Sequence, residues 1–113
     1  MSVSKIFEVP TVPKRAYENF FVYVQFRRSD GNGWLASDEK ITGTPTVTVK
    51  EKSTGVDTST TMVDNITAHD DTICKHRLKG GEDKKTYVVD VRIATDKSQN
   101  FEYKYEVKVS EKP

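Results

Sequence analysis

The chain has 113 residues, of which 35% are hydrophobic and 31% charged, with a formal net charge of +1. That size predicts one domain around a single core and excludes a typical two-domain enzyme. Eighteen Lys and Arg are interspersed with 17 Asp and Glu and form no block of five like charges, which argues against a nucleic-acid binder, since such proteins need a basic face to displace counterions from phosphates.

Residues 1–17 read as an N-terminal arm or edge strand: a short apolar alternation around Ile6, Phe7 and Val9 precedes Pro10 and Pro13, which interrupt regular strand pairing. Residues 18–113 then read as the domain. From Phe20 to Phe26 the alternation is clean, with Phe20, Val22, Val24 and Phe26 on one face and Phe21, Tyr23 and Gln25 on the other, as in a central strand. Ser29-Asp30-Gly31-Asn32-Gly33 is a turn signal, and Trp34-Leu35 restarts the chain with a large apolar anchor expected in the core.

Thr44 to Lys50 alternates Val47 and Val49 with threonines, and the Ser/Thr-rich stretch 53–61 reads as a loop or weak edge strand. Met62 to Ile66 reads as a short strand and Thr72 to Leu78 as a better one, with Cys74, His76 and Leu78 sharing a face. After the turn Lys79-Gly80-Gly81-Glu82-Asp83-Lys84-Lys85, Tyr87, Val89, Val91 and Ile93 define a strand over Thr86 to Ala94. Phe101, Tyr103, Tyr105, Val107 and Val109 define the last, and these two form a hairpin.

Val, Ile and Thr supply 32 residues against six Leu and Ala, and β-branched side chains suit a pleated sheet. With turns about every ten residues and no helical period, the pattern predicts an all-β fold, an immunoglobulin-like antiparallel sandwich of about seven strands. A small barrel is the alternative. No signal-peptide core and no membrane-length apolar stretch is visible, and Cys74 is the single cysteine, so synthesis in a reducing cytoplasm without a membrane partner is expected.

Candidate chemistry is sparse. His69, Asp70, Asp71, Cys74 and His76 form the densest group of possible metal ligands, but their spacing matches no zinc pattern, and Cys74 reads as a small buried hydrophobe. Asp30-Gly31-Asn32-Gly33 lacks the downstream carboxylate of a calcium loop, and Gly80-Gly81 lacks the surroundings of a phosphate loop. No nucleophile elbow or paired carboxylates emerge, because Glu102 and Glu106 alternate with Lys104 and Lys108 on one solvated face. No metal, no cofactor and no enzymatic activity is therefore expected. Phe21 and Tyr23 differ, since the opposite face of their strand already feeds the core. Left uncovered, they make an apolar partner surface.

Two blocks carry a family resemblance. Trp34-Leu35-Ala36-Ser37-Asp38-Glu39-Lys40-Ile41-Thr42, followed by Val47 and Val49, and Leu78-Lys79-Gly80-Gly81-Glu82-Asp83-Lys84-Lys85-Thr86-Tyr87-Val88-Val89 resemble segments of small phage immunoglobulin-like fiber-tail adaptors. The closing hairpin to Val109 fits as well, so the resemblance covers about residues 18–110. It marks Trp34, Leu35, Gly80, Gly81 and Tyr87 as fold motifs. It implies a non-enzymatic connector of a phage or prophage tail that meets virion or tail structural proteins, forms a homo-oligomeric ring on assembly and ends in the virion. The resembling loop is longer and more basic here, which adds Arg27 and Arg28 to Phe21 and Tyr23 as the candidate partner surface. A glycan- or surface-binding accessory module is the alternative.

Overall fold

The computed structural model describes residues 11–26, 35 and 38–111. Alternating apolar residues build seven strands: β1 (Thr11–Lys14), β2 (Phe20–Gln25), β3 (Ile41–Glu51), β4 (Val63–His69), β5 (Ile73–Leu78), β6 (Thr86–Thr95) and β7 (Asn100–Val109). They form two sheets, one in the order β1-β7-β6-β3 and one in the order β2-β5-β4. The all-β, two-sheet sandwich expected from the β-branched composition is the fold of the chain. Every pairing is antiparallel except β1 with β7, which is parallel.

The hairpin β6–β7 sets the core. Tyr87, Val89, Val91 and Ile93 from β6 and Tyr105, Val107 and Val109 from β7 point inward, joined by Val47 and Val49 from β3. The opposing sheet contributes Val24, Cys74, Leu78 and Val63, and Phe26, Leu35 and Met62 close the ends. A buried valine or leucine contributes about 1.5–3 kcal/mol relative to exposure, so this layer supplies most of the driving force.

Several sequence expectations are corrected. β2 is an edge strand, not a central one, because alternation reports only that one face is buried and says nothing of what lies beside the strand. Pro13 does not prevent pairing: it sits within β1, opposite Lys108, at the sheet edge where a missing N–H is tolerated. The stretch 53–61 is neither plain loop nor strand. It makes an isolated bridge between Asp57 and Lys50 and then one helical turn, α1 (Ser59–Met62). Met62 belongs to that turn, and the next strand runs on to His69. β3 is longer than expected because a bulge between Thr42 and Thr46, containing Gly43 at φ 68° and Pro45, absorbs the irregular residues.

Candidate functional site

The double-glycine corner joins β5 to β6. Gly80 and Gly81 adopt φ of 65° and 99°. A Cβ on Gly81 would lie 2.8 Å from Cγ2 of Val109 and 3.2 Å from Cε of Met62, so the corner needs both positive φ and a missing side chain. Tyr87 is buried beneath it, and its hydroxyl accepts a hydrogen bond from the backbone N–H of Glu82 at 3.0 Å, closing the turn. Leu35 is also buried. Trp34, Arg27 and Arg28 lie outside the described residues.

Lys14 is an anchor that sequence reasoning missed. It is 2% exposed, and its ammonium donates to the carbonyls of Gly80 at 2.6 Å and Arg15 at 2.9 Å. Burial pushes its pKa below the ordinary lysine value, while Glu18 and Glu111 oppose the shift. The signal was present as a lysine at an inward position of a strand otherwise made of Thr, Val and Pro, but an arm without an assigned strand has no inward positions.

The expected ligand group is dispersed. Cys74 and His76 face the core, whereas His69 is on the outer face, paired with Asp70 at 3.4 Å. Nε2 of His76 lies 2.5 Å from the Tyr105 hydroxyl and Nδ1 lies 3.7 Å from Sγ of Cys74. Burial lowers the His76 pKa to about 4 and raises that of Cys74 to about 12. These groups form a neutral polar cluster that links the two sheets. Among the described residues no three of His, Cys, Asp and Glu are grouped to hold a metal ion, and no helix there is long and apolar enough to cross a membrane.

Carboxylates are more organised than the sequence suggested. Glu39, just ahead of β3, is buried and accepts hydrogen bonds from the hydroxyl of Thr95 and from Nε2 of Gln99 at 3.1 Å, which fixes the β6–β7 turn. On the outer face of the four-stranded sheet Arg92 bridges Asp90 at 3.2 Å and Glu102 at 2.9 Å. Burial, then contact with Glu102, pushes Asp90 above the usual carboxylate range, while Asp90 and Arg92 hold Glu102 below it. On the other sheet Arg77 grips Asp64 through two bonds of 2.8 and 2.7 Å, lowering the Asp64 pKa to about 2, and Lys79 adds a third contact at 3.2 Å. Asp64, Asp90 and Glu102 are thus each met by a cation, whereas Glu39 is held by the uncharged Thr95 and Gln99.

Two of the exposed large hydrophobic side chains lie together on β2. Phe21 is 43% exposed and Tyr23 52%, both on the outer face of the three-stranded sheet. The ammonium of Lys75 stands 4.6 Å from the Phe21 ring centroid and 5.7 Å from that of Tyr23, and the His69 ring meets Tyr23 edge-on at 5.7 Å. Tyr17, unnoticed in the sequence, is 94% exposed on the turn between β1 and β2. That turn is held by Glu18 N–H to the Arg15 carbonyl, Arg15 N–H to the Glu18 carboxylate and Ala16 N–H to the Glu111 carboxylate.

A family model described as podophage GP4 fiber-tail adaptor protein gp77 matches residues 24–108. No curated protein and no solved structure matches the chain.

Proposed function

The chain belongs to the podophage fiber-tail adaptor family, and on that premise we propose that it is a non-enzymatic connector of the phage tail that acts through protein–protein contacts. Its role is structural and its place is the virion. The strand order supports an immunoglobulin-like reading of the sandwich: β2-β5-β4 against β7-β6-β3 sorts the strands as such folds do, with β1 added beside β7.

The observation that carries the contact surface is the exposure of Phe21 and Tyr23 on an edge strand whose other face is already in the core. Exposed aromatics on a rigid sheet bind partners at low entropic cost. Residues 18–113, with β1 docked against β7, act as the connector unit, and the charge of Arg27 and Arg28 contributes to partner binding. Copies related by one repeated heterologous contact form a ring and present identical loops to fiber and tail.

The test is reconstitution: the purified chain is mixed with tails from particles that lack it, and binding is followed by sedimentation and electron microscopy. Recovery of the chain on tails, in a ring of fixed copy number, is expected. Failure to bind tails under conditions that restore other missing components would refute the connector role.

A further inference from the structure

Four strands lie at sheet edges among the described residues, and three carry features that obstruct pairing with another chain. β1 contains Pro13. β3 is bulged at Gly43–Pro45, and at its far end the Glu51 N–H donates to the Val56 carbonyl while the Val49 N–H donates to the Ser59 hydroxyl. β4 is bulged between Asp64 and Thr67, where Asn65 takes φ 53°. Prolines, bulges and covering segments are the devices by which edge strands avoid adding a neighbour. Among the described residues, none of these features falls on β2 over Phe20–Val24. It runs in unbroken register with β5 and reads Phe-Phe-Val-Tyr-Val-Gln, without a charge. A regular, uncharged, aromatic edge is the kind that accepts a further strand.

The charge beside this edge sets what can be added. Arg77 and Lys79 are satisfied by Asp64. Lys75 is not: its contacts among the described residues are the faces of Phe21 and Tyr23, and no carboxylate there pairs with it. The side chain starts on β5 opposite Tyr23 and sets its ammonium over the rings of the edge strand β2, and strands lie about 4.8 Å apart. An acidic side chain on a strand added beside β2 comes within reach of this ammonium. Tyr17, 94% exposed on the turn that leads into β2, supplies a third exposed aromatic.

We propose that β2 accepts an extended, carboxylate-bearing segment of another tail protein as an added strand, with Lys75 receiving the carboxylate and Tyr17, Phe21 and Tyr23 packing against the segment. This rests on the connector reading and names the partner's chemistry.

The test uses tails assembled with this chain. A zero-length carbodiimide crosslinker, followed by peptide mass spectrometry, should join Lys75 to an Asp or Glu in another tail protein. Lys75→Arg should abolish the crosslink while still binding tails. Lys75→Glu should reduce tail binding tenfold or more with an unchanged unfolding midpoint, and the backbone amides of β2 should exchange more slowly in tails than in the free chain. If the chain binds tails with no slowing at β2 and no effect of Lys75→Glu, this inference is overturned and the connector role stands. Failure of the wild-type chain to bind tails removes the connector role itself. Slow β2 exchange in a dimer of the free chain would show that the edge pairs with its own copy, which also overturns the proposal.

Discussion

The ammonium of Lys14 lies 2.6 Å from the carbonyl oxygen of Gly80, a residue 66 positions away, and so fastens the N-terminal strand to the corner between β5 and β6. The lysine is inside the protein because β1 adds in parallel to β7 and turns this side chain toward the corner. Lys14→Met keeps the apolar stem but leaves the Gly80 carbonyl without its donor, so a loss of about 1–3 kcal/mol is expected. Lys14→Ala also removes the stem and should cost more. Urea unfolding of both variants checks the order.

Gly81→Ala is expected to destabilise strongly, by about 2–4 kcal/mol, because the new methyl group meets Val109 at 2.8 Å with φ at 99°. Gly55 provides the comparison: at φ 77° with nothing within 4 Å, its alanine variant bears only the backbone term, about 1–2 kcal/mol. Thermal unfolding of the two variants should separate them, and equal losses would show that the corner relaxes freely.

Stability should fall on mild acidification. His76 is neutral in the fold, with its pKa lowered by burial from 6.5 to about 4, so the unfolded chain binds the proton first. The contribution is complete above pH 6.5 and is lost as the pH falls toward 4, a decrease of about 3 kcal/mol. Unfolding measured across that window should slope downward for the wild type. His76→Gln, which keeps a polar partner for Tyr105 but does not titrate, should flatten the slope.

Cys74 should resist alkylation in the native state. It is fully buried, and burial raises its pKa to about 12, so little thiolate is available to react. Labelling by iodoacetamide should follow the unfolded fraction across a denaturant series. Rapid labelling in native buffer would contradict the packing described for β5.

The closing hairpin was fully legible because β6 and β7 each repeat a two-residue pattern over ten residues, long enough to fix both the strand and its inward face. The Gly80-Gly81 turn was legible for a related reason, since turn chemistry is local, whereas Tyr87 was marked as a fold motif only by the family resemblance. The neighbours of a strand are not. The pattern of β2 located Phe21 and Tyr23 on the outer face but could not report which side of the strand stays open. β1 was obscured by its shortness and by Pro13, which hid the inward position of Lys14. Tyr17 lies on a turn, where no periodicity signals exposure. Lys75 gained its significance from Phe21 and Tyr23 across the sheet and from the engagement of Asp64 elsewhere.

The unequal edges of the two sheets have a consequence for valence. A subunit with two hospitable edges polymerises, since each added copy exposes a fresh acceptor. Among the described residues Pro13, the Gly43–Pro45 bulge and the Asn65 bulge obstruct three edges, and no such feature falls on β2 over Phe20–Val24. With strand addition at β2, as proposed above, a subunit saturates after a single event, so growth would end with occupancy and the number of attached segments would equal the number of copies.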